Sequence, residues 1–264
     1  MRARGITTWL LIAVLLAPLV PLALWSFSFG WFFPDLLPSR WTLNAWRYAL
    51  SDTGGTIQSL WLTTKIAGIT ALLAVLLGLP LARLLGLGTF RAKALVQVLV
   101  MAPIIVPGMA VVLGLHGLFL PLGLTNTTFG VILAHLIPTL PYAVLIMAGV
   151  FAGFDIGLEE QARSLGARPL AAFFYVTLPA IAPGLVAAAL LSFLVSWGQY
   201  ALTLVIGGGR VTTLPLLLFS FVSSGRHDIA GAIGTIYILP GLIMMAIAAR
   251  QIGGRSAAIG TGGA

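Results

Sequence analysis

Six stretches of this 264-residue chain each run for about 20 residues or more with at most one charge, and nothing else in the sequence restricts the fold so tightly. At 1.5 Å rise per residue, a helix of about 20 apolar residues crosses a hydrocarbon core of about 30 Å. Inside that core every backbone N–H and C=O needs an internal partner, so a helix is the natural spanning unit. The runs cover approximately 6–33, 57–82, 94–115, 127–153, 181–206 and 229–249. They predict an all-α, polytopic membrane bundle of six transmembrane helices, read as a single transmembrane domain over 1–264. The first run is too long for the apolar region of a signal peptide and is read as a retained extra helix over 6–33, with Pro21 able to bend it, ahead of a core over 57–249. The stretch 211–222 is apolar but only about 12 residues long, which suits a re-entrant or interfacial segment rather than a span.

Composition agrees. Hydrophobic residues make up 59% and charged residues 8%, with a mean hydropathy of +1.09, far from the roughly 25% charged residues of a soluble domain. Cysteine is absent, which excludes disulfides and thiolate metal sites, and no metal site is expected. The net charge of +8 is explained by topology. With the N-terminus inside, the inner side carries Arg2, Arg4, Arg83, Arg91, Lys93, Arg163, Arg168, Arg250 and Arg255, against Arg40, Arg47, Arg210 and Arg226 outside. The positive-inside rule then favours an N-in, C-in arrangement. A nucleic-acid partner loses its motive.

The six acidic residues are scarce, yet Asp155, Glu159 and Glu160 fall together between the fourth and fifth runs, on the cytoplasmic side of this topology. Leu158, Ala162 and Leu165, then Leu170, Phe173, Phe174 and Val176, recur at helical spacing and are interrupted at Gly166. The pattern predicts two short helices joined by a glycine turn. Asp155 is placed to cap the first, and Glu159 and Glu160 fall in its first turn, where carboxylates suit the helix dipole. Pro179 and Pro183 mark the start of the next span. Amphipathicity leaves two readings of the segment open, a docking element for another protein or a helix lying on lipid headgroups.

The stretch "EEQARSLGARPLAAFFYVTLPAIAPG" carries Glu160, Ala162, Gly166, Leu178 and Pro179 at the spacing E-A-A, three residues, G, nine residues, I-x-L-P. It resembles the EAA motif of permeases in ATP-binding-cassette (ABC) importers, with Gln161 in place of the usual second alanine and Val176 in place of isoleucine. The likeness extends over about 58–241 and includes "MAPIIVPGMAVVLG" and "LAHLIPTLPYAVLIMAGVFAGFD". The resemblance implies that 154–180 forms a cytoplasmic coupling helix, with Glu159, Glu160, Ala162, Gly166, Leu178 and Pro179 as its coupling residues. It implies as partners a cytoplasmic ABC ATPase dimer, a second permease that is identical or homologous, and a periplasmic substrate-binding protein, all at a bacterial inner membrane. No phosphate-binding loop occurs, since the only lysines, Lys65 and Lys93, follow Thr64 and Ala92. The chain is therefore expected to be a transporter subunit rather than an enzyme, binding no cofactor itself, with ATP and magnesium held by the partner ATPase.

Polar residues inside the runs suggest a pathway. Ser192, Ser196, Gln199 and Thr203 stand at i, i+4, i+7 and i+11 of the fifth run, and Thr128, His135, Thr139 and Tyr142 make a similar stripe beside Pro138 and Pro141 on the fourth. Two stripes on neighbouring helices could line a route. The alternative is that the hydroxyls bond carbonyls of their own helices or pack against neighbours. Lys65 lies roughly 12 Å into the second run, near the limit of snorkelling to the outer surface, and could instead meet an anionic substrate.

The stretches "SFLVSWGQYALTLVIGGG" and "TLPLLLFSFV" resemble permeases of the polyamine, ferric iron, sulfate, thiamine and phosphonate branch. Polyamine permeases usually carry acidic residues just after the second serine, where this chain has Trp197, Gly198 and Gln199. The transported solute stays open among a polyamine, an inorganic or organic anion, ferric iron and a thiamine-like compound. An autonomous proton-coupled secondary transporter is the alternative from another class, but it leaves the EAA segment without a purpose.

Overall fold

A computed structural model describes residues 13, 14, 17, 19–31, 35, 37, 38 and 40–260, with side chains described as far as 244. Among these residues every named element is helical, and the only extended pairing is an isolated antiparallel bridge between Ser28 and Trp41. The helices are α1 (Leu19–Ser26), α2 (Asn44–Leu50), α3 (Thr56–Leu87), α4 (Lys93–Ile105), α5 (Gly108–Phe119), α6 (Thr128–Ala152), α7 (Gly157–Ser164), α8 (Pro169–Ala172), α9 (Leu178–Trp197), α10 (Ala201–Gly207), α11 (Leu214–Ser223) and α12 (His227–Gly260). A π-helical turn, Phe173–Thr177, joins α8 to α9. Of the first expected run, 6–33, residues 6–12, 15, 16, 18, 32 and 33 lie outside the described residues, and the described part contains the eight-residue helix α1.

The chain forms two compact units. One contains the described residues up to Thr63 together with Thr212–Ile243. In it Trp25 stacks on His227 with ring centroids 5.4 Å apart. Thr63 donates its hydroxyl to the Ser59 carbonyl and accepts from the Leu214 amide, the first N–H of α11, at 2.8 Å. That amide has no partner inside its own helix.

The other unit contains Thr64–Val211 with 244–260. Its core is a three-helix contact: Ala74, Val75, Ala82 and Leu85 from α3, Ala143, Val144, Met147 and Phe151 from α6, and Ile181 and Ala188 from α9. Gly86 and Gly184 let the helices meet this closely, because a Cβ on Gly86 would lie 2.5 Å from the Phe151 Cβ and one on Gly184 2.3 Å from the Val150 Cγ2. In lipid, small residues at such contacts allow the close van der Waals packing that drives helix association. Thr127 starts α6 by accepting the Gly130 amide at 3.0 Å.

Length and composition support four membrane spans, or five if one bent pair counts as a span: α3, the α4–α5 pair, α6, the continuous run Pro169–Trp197, and the first part of α12. Three expected boundaries shift. The third run does not make one straight helix, because α4 and α5 meet at 95°. Val106 and Pro107 are both extended at the corner, as a residue before proline tends to be, and Pro107 has no N–H to continue the ladder. The fifth span begins at Pro169 rather than near residue 181, since the π turn carries the backbone from α8 into α9 without a stop. It also ends at Trp197, and the expected stretch to 206 divides at 198–200, beyond which α10 is a separate helix. Ser192, Ser196, Gln199 and Thr203 are therefore not one helical stripe. The apolar stretch 211–222, expected as a short non-spanning segment, forms the ten-residue helix α11.

Candidate functional site

The segment between α6 and α9 is an elbow. Asp155 accepts the Gly157 amide at 2.9 Å and so satisfies one of the free N–H groups at the start of α7. Glu159 and Glu160 lie in the first turn of α7 and Arg163 in its last, each on the side the helix dipole favours. The turn between α7 and α8 depends on Gly166, which has φ +94 and nothing within 4 Å of where a Cβ would be. Backbone geometry rather than crowding selects glycine there. Pro169 occupies the first turn of α8, where a missing N–H costs nothing.

Successive helical residues point about 100° apart, so Glu159 and Glu160 cannot serve the same surface. Glu160 is exposed and borders a surface concavity with Arg163, Ser164, Ala167 and Pro169. Glu159 turns inward and is buried. Its two carboxylate oxygens accept from Arg83 Nη2, at 3.1 Å for Oε1 and 2.9 Å for Oε2, and Oε2 also accepts the Thr177 hydroxyl at 2.9 Å. Burial alone pushes the carboxyl up, but the hydrogen bonds from Thr177 and Arg83 and the positive charges of Arg83 and Arg163 outweigh it. Glu159 is therefore held below its usual range, ionised at neutral pH. The Arg83 guanidinium lies 6.0 Å from the ring centroid of the fully buried Phe151. Neither Arg83 nor Thr177 stood out in the sequence as a site residue. Arg83 was one basic residue among several at an inner end, and its partner is 76 positions away.

The outer face of the elbow is apolar. Leu165 is 90% exposed, Tyr175 83% and Leu170 73%, with Phe174, Leu158 and Ile156 also exposed. Ala162 and Leu178 are half-buried, and Pro179 is exposed in the first turn of α9.

The second group of expected residues gathers around His135. Its Nδ1 lies 2.9 Å from Ser196 Oγ and its Nε2 2.9 Å from Thr203 Oγ1, so one side chain joins α6, α9 and α10. Thr203 gives its single hydroxyl hydrogen to the Gln199 carbonyl. It must then accept from Nε2–H, which leaves Nδ1 to accept from the Ser196 hydroxyl. In the neutral imidazole this geometry places the proton on Nε2. Thr139 donates to the His135 carbonyl at 2.6 Å, one hydroxyl that does bond its own helix. Ser192 is fully buried with no hydrogen-bond partner for its hydroxyl, while Tyr142 and Gln199 are half-buried. Thr128 and Lys65 are exposed, and none of the described residues forms a metal-binding cluster.

Comparison with known proteins gives this geometry a context. Residues 74–256 match the family described as "Binding-protein-dependent transport system inner membrane component". The chain is similar to the molybdenum transport system permease protein ModB of Mycobacterium bovis, 33% identical over 187 residues, or 65% of this chain and 71% of that one. It is similar to the putrescine transport system permease protein PotI of Escherichia coli, 28% identical over 85% of this chain and 81% of that one. It also resembles the spermidine/putrescine transport system permease protein PotC of Haemophilus influenzae, 27% identical over 92% and 94% of the two chains. Among solved structures, a chain of a bacterial ABC transporter involved in the import of the acidic polysaccharide alginate has the same fold, with a TM-score of 0.69 at 19% identity over 94% of this chain and 96% of that one. The chain belongs to the binding-protein-dependent transport system inner membrane component family, the multi-pass helical permeases of ABC transporters.

Proposed function

We propose that this chain is one transmembrane permease domain of an ABC importer, and that the exposed face of residues 157–175, which excludes the buried Glu159, is the surface on which its ATPase docks. The observation that carries the proposal is the elbow's split character. Glu159 is clamped to the permease, whereas Leu165, Leu170 and Tyr175 stand almost free of it on a turn that only glycine accommodates easily. Exposed apolar side chains with a charged rim of Glu160, Arg163 and Arg168 suit burial in a cleft of another protein. The topology that fits is six spans, N-in and C-in, with the elbow cytoplasmic. The chain would work beside a second permease and a periplasmic binding protein, with ATP and magnesium on the ATPase pair.

For the substrate, we favour a small oxyanion of the molybdate type over a polyamine. The only acid within the candidate spans is Asp228, in the first turn of α12, and Arg226 already neutralises it at 3.2 Å. A polycation would find no free carboxylate along the spans. The seven polar residues on α6, α9, α10 and the 198–200 break, His135, Thr139, Tyr142, Ser192, Ser196, Gln199 and Thr203, would offer neutral donors to an anion in a state that opens them to water.

Co-purification tests the docking reading. The cognate ATPase should bind the wild-type permease and lose about tenfold or more in affinity for Leu165→Asp, with Glu160→Ala showing a smaller loss. Undiminished binding by Leu165→Asp would overturn it. Molybdate and putrescine uptake by the reconstituted importer separates the two substrate classes.

A further inference from the structure

We infer that the Glu159–Arg83–Thr177 clamp is a positioning device that makes the docking elbow a rigid extension of α3 and α9, so that the elbow and these spans move as one body. The inference rests on the docking reading of the elbow and adds to it the route by which a push on the elbow would reach the membrane. An eight-residue helix such as α7 has little stability of its own and takes its orientation from its ties. It is joined to α6 through a short non-helical link and to α8 through the Gly166 turn, and the backbone bonds that close these links, such as Gly153 N–H to the Val150 carbonyl and Ala167 N–H to the Ala162 carbonyl, are local and do not reach α3 or α9.

Glu159 supplies the missing constraint. Its carboxylate reaches Arg83 one turn before the end of α3, and Thr177 in the π turn where α8 becomes α9. Single π turns inside helices recur at functional positions, and here the turn presents a hydroxyl to the carboxylate. Arg83 is in turn steadied against Phe151 at the end of α6, where α3 and α6 are packed too closely at Gly86 to slide freely. A partly buried ion pair contributes little net stability compared with an apolar contact of the same size, but its directional bonds fix an angle. The adjacent Glu160, facing outward, is left for the partner.

Both bonds from Arg83 leave one nitrogen, Nη2. A lysine at 83 can therefore reproduce the contact, whereas a glutamine cannot reproduce the charge. This gives a conservative variant that distinguishes positioning from bulk packing. The chain has no cysteine, so spin labels can be placed singly, at the exposed positions Ser164 on α7 and Leu84 on α3. Their distance distribution would be measured in full-length permease in nanodiscs, without ATPase and then with the cognate ATPase in nucleotide-free and ATP–vanadate states. The wild type and Arg83→Lys should give one narrow distance that does not change with nucleotide, while Glu159→Gln and Arg83→Gln broaden it by about twofold and make it nucleotide-dependent. Binding of the ATPase should stay within about twofold of wild type in all four proteins, because the clamp faces away from the partner. A distance in Glu159→Gln as narrow and constant as in the wild type, or a wild-type distance that itself shifts between nucleotide states, would overturn the inference. If the wild type fails to bind the ATPase, the docking reading falls, and the distribution without ATPase still decides whether the clamp holds the elbow.

Discussion

His135 and Glu159 each tie three stretches of chain together, one inside a span and the other at the cytoplasmic end proposed for the bundle. The knot around His135 is built from neutral groups, an imidazole and two hydroxyls, each with a partner at 2.9 Å. The clamp around Glu159 uses full charges, with a guanidinium bridging two carboxylate oxygens. The surroundings account for the difference. A charge near the middle of a span costs about 3 kcal/mol or more, so the interior tie must be neutral. At the end of α3 the Arg83 side chain is still 32% exposed, so water shares the cost of solvating the ions. Similar linkages are thus built from different chemistry according to depth.

The largest effect should come from forcing the interior tie to adopt the chemistry of the outer one. His135→Asp places a carboxylate between two hydroxyls with no cation near, and should destabilise the permease by about 3 kcal/mol or more. The thermal midpoint in detergent reports it, and a midpoint near that of the wild type would remove the distinction. Next comes Glu159→Ala, which strands Arg83 beside Phe151 and should cost about 2 kcal/mol. A matching pH dependence follows from the lowered carboxyl of Glu159. Because the folded value lies below the unfolded one, the contribution is complete above the ordinary carboxyl value of 4.5 and fades as the pH falls through the folded value. The stability difference between wild type and Glu159→Gln should therefore be flat from about pH 6 to 8 and shrink below about pH 4.

Gly166→Trp should cost about 1–2 kcal/mol of backbone strain confined to the elbow, leave membrane insertion intact and uncouple ATP hydrolysis from transport. Normal transport in that variant would mean the turn has no part in docking. The smallest effect is expected at Ser192. Its buried hydroxyl has no partner, so Ser192→Ala should be neutral or slightly stabilising, within about 0.5 kcal/mol. A loss above about 1 kcal/mol would show that the hydroxyl does bond within the knot.

The sequence made local features legible and left distant ones hidden. Asp155 at the start of α7, the paired acids in its first turn and the turn at Gly166 were all readable, because each depends on neighbours within a few residues. Arg83 as the partner of Glu159 was not, because only packing of α3 against α6 and α9 brings them together. Hydropathy also ignores chain direction. It joined α4 to α5 across Val106–Pro107 and α9 to α10 across Gly198, although Pro107 gave a hint of the first break. The four residues placed on one stripe of the fifth run occupy two helices and the link between them, yet Ser196 and Thr203 still converge because His135 bridges the gap.

Site-specific cross-linking from the elbow tests the central claim most directly. Leu165 on the elbow and Leu95 on α4 are both exposed apolar positions, at 90% and 60%, and the absence of cysteine allows each to be replaced singly by one. With a short thiol-to-amine cross-linker and the cognate ATPase, Leu165→Cys should join the permease to the ATPase in high yield and Leu95→Cys should not. Assembly of the complex with no cross-link from Leu165→Cys, or with equal cross-linking from both positions, would contradict the assignment of the elbow as the docking surface.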